Sequence, residues 1–178
     1  MRIVGGQYRG RQFNPGKRFK ARPTTDMAKE GLFNILQNSL DFAEISALDL
    51  FAGTGSISFE LASRGCRDIT SVESDYAHLR FIKEVIERLA DAAIHPVQAN
   101  VFSFVATAHR QWDFIFADPP YSHPRFNEVL PLVWQHGLLA PSGLFVLEHS
   151  AACDFATHPA FTAVRSYGSV HFSFFKNA

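Results

Sequence analysis

The spacing of apolar positions changes along this chain, and each change marks a different kind of element. Residues 2–13 read as two short extended pieces around Gly5-Gly6, a β-hairpin, closed off by the turn signal Asn14-Pro15-Gly16. Arg22-Pro23 favours extended backbone, because proline disfavours the α region for its predecessor. Thr24, Thr25 or Asp26 then caps a helix, with Leu32, Ile35, Leu36 and Leu40 on one face and an end near Asp41.

From Ala47 the pattern alternates. Strands are expected at 47–51, 69–73, 95–99, 113–117 and 143–148, and helices at about 56–64, 75–90, 101–109 and 125–136. The helix over 75–90 turns Leu79, Ile82, Val85, Ile86 and Leu89 inward. The tail breaks the alternation: 161–167 and 169–175 are adjacent strands, an antiparallel pair. The fold class is α/β, a doubly wound, mostly parallel sheet with an antiparallel C-terminal hairpin. Ligands of such sheets bind beyond the carboxyl ends of the strands. The glycine loop at Gly53, then Glu73, Asn100 and Asp118, all fall at such ends.

The 178 residues, 47% hydrophobic, fit one domain with a small appendage. The formal charge is zero, but its distribution is uneven. Residues 1–22 carry Arg2, Arg9, Arg11, Lys17, Arg18, Lys20 and Arg22 and no acid, and the rest of the chain is acidic. A basic arm on an acidic body suits contact with a phosphate backbone, so these seven residues are the expected contacts to RNA or DNA. The expected division is residues 1–22 as a basic N-terminal extension and 23–178 as the main domain. Cys66 and Cys153 are too few for a disulfide framework or a zinc site and are expected to be reduced and buried. The eight histidines lack metal-ligand spacing, and no metal is expected. The 18 phenylalanines read as core. The opening residues lack a signal-peptide core and no run of about 20 apolar residues occurs, so a cytoplasmic protein without a membrane partner is expected.

Two motifs carry chemistry. Leu48-Asp49-Leu50-Phe51-Ala52-Gly53-Thr54-Gly55 is a strand running into a glycine loop, with Ser58 where a dinucleotide fingerprint has its third glycine. Glu73 follows Gly53 by 20 residues, a spacing suited to ribose hydroxyls. By themselves these features describe either a tight strand–helix turn with a surface acid or a cofactor site. Asp49 is poorly placed for a pyrophosphate and suits a cationic ligand, which favours S-adenosyl-L-methionine over a nicotinamide dinucleotide. The cofactor segment then includes Asp49, Phe51, Ala52, Gly53, Thr54, Gly55, Glu73 and Ser74.

The second motif, Asp118-Pro119-Pro120-Tyr121, ends the apolar run Phe114-Ile115-Phe116-Ala117. The amine on an aromatic ring is a poor nucleophile, because its lone pair is delocalised. Two acceptors on its hydrogens favour a pyramidal nitrogen and draw off the positive charge of alkylation. The Asp118 carboxylate and the Pro119 carbonyl are those acceptors, and the prolines hold the backbone rigid. Tyr121 stacks on the ring. The four residues form the expected catalytic set for methyl transfer to an exocyclic amine, with Asp118 also beside the cofactor.

The chain resembles the RsmD family of bacterial ribosomal RNA methyltransferases along nearly its whole length. The resemblance is carried by Met1-Arg2-Ile3-Val4-Gly5-Gly6-Gln7-Tyr8-Arg9-Gly10-Arg11, by Arg22-Pro23-Thr24-Thr25-Asp26 with Glu30 and Leu32-Phe33-Asn34, by Leu48 to Gly55, and by Asp118 to Tyr121. The last two blocks occur in many amino-methyltransferases; the first two single out this family. The resemblance implies a seven-stranded, Rossmann-like class I methyltransferase fold with an N-terminal hairpin. It implies transfer from S-adenosylmethionine to a guanine N2 in 16S rRNA. It also implies that Thr24 and Thr25 lie near the methionine end of the cofactor and that Asn100 and Val101 lie at its adenine. Many methyltransferases have Asp where Asn100 stands, so Asn100 would offer an amide acceptor to the adenine amine. The expected partner is 16S rRNA, naked or in a partly or fully assembled small subunit, and the expected state is a monomer. The competing readings are an amino-methyltransferase on DNA adenine N6 or a protein glutamine amide, and an inactive RNA-binding module.

Overall fold

A computed structural model of the chain describes residues 1–16 and 25–178. Five of the expected site residues, Lys17, Arg18, Lys20, Arg22 and Thr24, lie outside the described residues.

The alternation of the sequence becomes one seven-stranded sheet. Its strands are β1 (Ser46–Leu50), β2 (Asp68–Glu73), β3 (Ile94–Gln98), β4 (Trp112–Ala117), β5 (Leu139–His149), β6 (Phe161–Tyr167) and β7 (Val170–Lys176). The spatial order is β3-β2-β1-β4-β5-β7-β6. The first five strands are mutually parallel, and β7 runs antiparallel to both β5 and β6. The order reverses between β1 and β4, whose carboxyl ends therefore splay the following loops to opposite sides and leave a crevice.

Helices cover both faces. α1 (Asp26–Leu36), α2 (Ser56–Ser63) and α3 (Tyr76–Leu89) supply Leu32, Phe59 and Ile82 to a core with Ala47, Phe114 and Phe116. α4 (Val101–Thr107) and α5 (Val129–Gln135) supply Val105 and Val133 to the opposite core with Leu48, Leu50 and Ile115. Successive residues of β1 and β4 thus feed different faces, as period-two strands require.

Three elements differ from the sequence reading. α1 stops at Leu36, because Ser39 and Leu40 both close onto the Leu36 carbonyl and Asn38 Nδ2 turns back to the Asn34 carbonyl. Its inward face is Ala28, Lys29, Leu32, Phe33 and Leu36, rotated from the expected stripe. The helix expected at 125–136 starts as a 3-10 turn, Phe126–Glu128, before α5. β5 begins at Leu139, because the turn signal Pro141-Ser142-Gly143 is absorbed as a bulge against β4. Cys66 is buried, but Cys153 is half-exposed, contrary to the expected burial of both.

The N-terminal residues double back through a single antiparallel bridge, Arg2 with Gln12, rather than two strands. They are knitted to α2: the Val4 N–H donates to Glu60 Oε2 at 2.9 Å and the Tyr8 N–H to Ser63 Oγ at 2.9 Å. Gly6 has φ +69°, and a Cβ there would stand 1.9 Å from the Ser63 carbonyl oxygen, so only glycine permits this approach. Ile3 and Phe13 join the core of the main sheet.

Candidate active site

The crevice between β1 and β4 collects the chemistry-bearing residues. After β1 the backbone turns through Phe51 at φ 62° and Gly53 at φ 54°. Gly55, at φ 74°, packs so closely over Phe59 that a Cβ would lie 2.9 Å from its ring. The loop is fastened from outside. Ala52 donates to the Val72 carbonyl at 3.0 Å, and Gly53 N–H donates to Glu73 Oε2 at 2.7 Å. The other oxygen, Oε1, accepts from the Asp75 N–H at 2.7 Å. Oε1 also meets Ser74 Oγ at 3.5 Å, and since an ionised carboxylate offers about four acceptor positions, capacity remains for a hydroxyl group.

Asp49 lies beneath this loop. Its Oδ2 accepts from Ser58 Oγ at 2.5 Å and from the Ser58 N–H at 3.1 Å, and Ser58 Oγ also meets Ser71 Oγ at 3.1 Å. Ser58, at the expected place of a third glycine, is therefore the partner that holds Asp49 to α2. Burial pushes the Asp49 carboxyl up to about 7; the Ser58 hydrogen bonds oppose this and the Glu73 charge adds to it.

Beside the loop runs a cleft of ≈ 120 Å³ lined by Phe51, Glu73, Ser74, Asn100, Val101, Phe102, Pro120 and His123. It has a carboxylate at one side and an aromatic wall at the other, which fits a nucleoside. The Phe102 and His123 rings stack at 5.1 Å, Phe51 meets Phe102 edge-on at 5.9 Å, and the Arg125 guanidinium lies 4.0 Å over Phe102. Asn100 caps α4, with Oδ1 accepting from the Phe102 and Ser103 N–H groups at 3.0 and 3.3 Å. The acceptor expected for an adenine amine is thus committed to the cap, and the Nδ2 donor is what that side chain retains. Thr25 caps α1, accepting from the Ala28 N–H at 3.2 Å.

Asp118 follows β4, and its N–H donates to the Leu50 carbonyl at 3.3 Å, which puts it against the start of the glycine loop. Its carboxyl is raised well above the ordinary carboxylate value by burial, then by the charges of Glu148 and Asp49. Pro119 is buried and Pro120 exposed. Tyr121 is 45% exposed, stands edge-on to Phe126 at 6.4 Å, and donates its hydroxyl to Glu148 Oε1 at 3.2 Å. Burial and the neighbouring Glu148 and Asp118 charges raise the Tyr121 hydroxyl.

The sequence reading missed Phe102, His123, Lys29 and Glu148. Phe102 falls among the phenylalanines read as core, and His123 lacks the metal-ligand spacing that would single it out. Lys29 is buried at the start of α1, with Nζ on the Arg2 carbonyl and 3.0 Å from Ser56 Oγ, the first residue of α2. Its position at i−3 and i−4 from Leu32 and Phe33 was the available signal. Glu148 is the penultimate residue of β5, beside the end of β4, close to the strand ends that the strand-end rule singles out.

The described basic residues do not all reach the crevice. Arg2 lies at the start of α1, 3.7 Å from Asp26. Arg9 and Arg11 are exposed beside Tyr8, whose hydroxyl holds Asp91 after α3, at the opposite edge of the sheet. A wider groove of ≈ 270 Å³ between Ile35, Leu40, Leu144 and Phe174 touches none of the expected site residues. Among the described residues no cluster of His, Cys, Asp or Glu is arranged to hold a metal, and no helix is long and apolar enough to cross a membrane.

Known proteins are similar to this chain in sequence and in fold. The family model described as conserved hypothetical protein 95 matches residues 1–176. Ribosomal RNA small subunit methyltransferase D of Escherichia coli (strain K12) is 32% identical over 160 residues, 90% of this chain and 80% of that protein. Putative rRNA methyltransferase YlbH of Bacillus subtilis (strain 168) is 32% identical over 154 residues, 84% of this chain and 82% of that protein. The solved structure of the putative methyltransferase yhhF from Escherichia coli superposes with a TM-score of 0.86 at 29% identity, covering 99% of this chain and 97% of that one. With the family model spanning nearly every residue, the chain belongs to the conserved hypothetical protein 95 family, the RsmD-type methyltransferases.

Proposed function

We propose that this chain methylates the exocyclic N2 amine of a guanine in small-subunit (16S) ribosomal RNA, with S-adenosyl-L-methionine as methyl donor. The observation that carries the reading is the position of Asp118-Pro119-Pro120-Tyr121 across the crevice from the Gly53 loop, with Asp118 bonded to Leu50 at the mouth of that loop. The likeness to a ribosomal RNA small subunit methyltransferase D supports the substrate class.

When bound, S-adenosylmethionine supplies an electrophilic methyl group on a sulfonium centre. Glu73 holds the ribose hydroxyls with its remaining acceptor positions, and Phe51, Val101 and Phe102 wall the adenine. Asn100 Nδ2 donates to an acceptor nitrogen of that base. Phe51, Ala52, Gly53, Thr54 and Gly55 shape the loop over the methionine portion, Ser74 lies at the ribose end, and Thr24 and Thr25 close the methionine side. Asp49 supplies negative charge under the cationic part of the donor.

Asp118 and the Pro119 carbonyl accept the two N2 hydrogens and turn the nitrogen lone pair toward the methyl group. As the nitrogen–carbon bond forms, the bond from the methyl carbon to sulfur would break with its electron pair left on sulfur, giving S-adenosylhomocysteine as the leaving group, and N2 sheds one proton to the Asp118 carboxylate and on to water. No covalent enzyme intermediate arises. A paired guanine hides its N2, so the target is single-stranded or flipped out against Tyr121.

Residues 1–22 serve as an RNA-contacting extension of the methyltransferase domain at 23–178, through Arg2, Arg9, Arg11, Lys17, Arg18, Lys20 and Arg22. The substrate is 16S rRNA, naked or in a partly or fully assembled small subunit, and the chain acts in the cytoplasm. It acts as a monomer.

The test is methyl transfer from labelled S-adenosylmethionine to small subunits and to naked rRNA from cells lacking the enzyme. Digestion and mass spectrometry are expected to give N2-methylguanosine. Label on adenine, on protein amide or on no acceptor despite cofactor binding overturns the reading.

A further inference from the structure

β4 and β5 are parallel neighbours in register, Ala117 opposite Leu147, so Asp118, just past the end of β4, and Glu148, the penultimate residue of β5, stand at the same level. Glu148 is 5% exposed, and Tyr121 reaches over it to donate its hydroxyl to Oε1. A second buried acid therefore stands beside Asp118 and under the ring assigned to stack on the substrate. The transfer step assigns it no role, since Asp118 and Pro119 already accept both N2 hydrogens. Its charge also works against Asp118 by holding that carboxyl up, after burial and together with Asp49. Two buried carboxylates side by side disfavour each other's ionised form, and a ligand that brings N–H donors to the pair relieves that repulsion.

We propose that Glu148 accepts the ring N1–H of the target guanine and so selects guanine from the other amino-bearing bases. The inference rests on the guanine-N2 reading above and deepens it. Guanine presents three contiguous N–H groups, N1–H and the N2 pair, which meet three acceptors: Glu148, Asp118 and the Pro119 carbonyl. In adenine and cytosine the ring atom beside the amine is a lone-pair acceptor, which faces an acceptor-only carboxylate and is repelled. Tyr121 has two tasks in this arrangement. Its ring stacks on the base, and its hydroxyl fixes the Glu148 carboxylate at the level of the base edge. Glu148 is a specificity-determining residue and Tyr121 both a stacking and a positioning one.

The experiment compares guanosine with 2-aminopurine riboside as inhibitors of methyl transfer to small subunits. 2-Aminopurine keeps the amine at C2 but carries an acceptor nitrogen in place of N1–H. Wild type is expected to favour guanosine, and Glu148→Gln, whose amide can donate or accept, to lose on the order of 10–100-fold of that preference. Tyr121→Phe is expected to lose a smaller part. S-adenosylmethionine affinity reports that both variants are folded. A pH profile gives an independent readout. Glu148→Gln leaves Asp118 facing only Asp49 from β1 and Tyr121 from its own loop, so the acid limb of kcat/KM moves to lower pH. An unchanged nucleoside preference in folded Glu148→Gln overturns the assignment, as does a wild type that does not distinguish the two nucleosides. Label found on a base other than guanine overturns the underlying reading as well. That outcome appears in the digest, whereas failure of the Glu148 role alone appears only in the inhibition ratio.

Discussion

Gly53 donates its backbone N–H to Glu73 Oε2 at 2.7 Å, so the glycine loop after β1 and the carboxyl end of β2 are tied into one unit. The bond explains why an acid 20 residues downstream of a glycine matters. It shapes the loop and also presents its remaining acceptor positions to the cleft. Glu73→Ala is expected to weaken S-adenosylmethionine binding about 10–100-fold, the effect of losing hydrogen bonds to one charged acceptor. Titration calorimetry measures it. Unaltered affinity in a folded variant removes Glu73 from the site.

Most of the fold was legible because its signals are local. Each strand–helix alternation from Ala47 to Glu148 is written in period and punctuation, and the glycine loop, Glu73 and Asp118 fall at strand ends by counting. What was not legible depends on contacts far apart in sequence. Lys29 and Glu60 are 31 positions apart, and nothing in either helix's pattern announces that they meet. The bulge at Pro141-Ser142-Gly143 reads locally as a chain break, and only the pairing with β4 carries the strand through it. Asn100 was assigned to the adenine amine on resemblance, but its place as the α4 cap already uses the oxygen.

Asp49 sets a pH dependence on the cofactor side. Its carboxyl is pushed up to about 7 by burial, with Ser58 donating to it and the Glu73 and Asp118 charges nearby. A cationic ligand favours the ionised form, so affinity for S-adenosylmethionine rises as pH climbs through 7 and then levels off. Stability runs the other way. A raised carboxyl contributes stability that is complete below its unfolded value. That contribution falls by about 1.4 kcal/mol per pH unit and is gone above about 7. Asp49→Asn is expected to flatten both curves. Binding and thermal melts from pH 5 to 8 decide the matter, and parallel curves for the two proteins rule the role out.

Asp118 separates chemistry from binding. Asp118→Ala is expected to lower turnover by about 10²–10³-fold or more, the scale of one preorganised group lost at the reacting atom. Cofactor affinity should stay within a few-fold of wild type. Single-turnover rates with saturating S-adenosylmethionine measure this. Near-normal turnover would show that the amine is held elsewhere.

The buried charges under the N-terminal residues form a network rather than a pair. Glu60 is fully buried, with Oε2 3.9 Å from Lys29 Nζ and accepting from the Val4 N–H, while Oε1 receives Arg64 at 3.2 Å. Burial lowers the Lys29 ammonium, and Glu60 is the largest influence opposing that. Glu60→Ala leaves the buried Lys29 without its counter-charge, and is expected to cost about 3–5 kcal/mol. Replacing Lys29 and Glu60 together by Met and Leu is expected to recover much of that loss. Urea unfolding of the two singles and the double supplies the coupling energy, and simple additivity would mean that the charges act independently.

The basic N-terminal residues cannot be tested by deletion, because Ile3, Val4 and Phe13 are buried in the main core and their loss would unfold the protein. Charge removal at fixed packing avoids this. Arg2, Arg9 and Arg11 are exposed, and changing each to Gln leaves the Gly6–Ser63 contact and the Val4–Glu60 bond in place. If these side chains touch phosphate, each substitution reduces the slope of log affinity against log salt by roughly 0.7 on single-stranded RNA and weakens binding uniformly across sequences. Arg9 and Arg11 stand with Tyr8 at the edge away from the crevice, whereas Arg2 stands at the start of α1. A loop of RNA confined to the crevice should therefore respond to Arg2→Gln alone, and an RNA that wraps around α2 should respond to all three. Filter binding from 50 to 300 mM salt distinguishes the two paths, and a slope unchanged in the triple variant removes these arginines from the RNA surface.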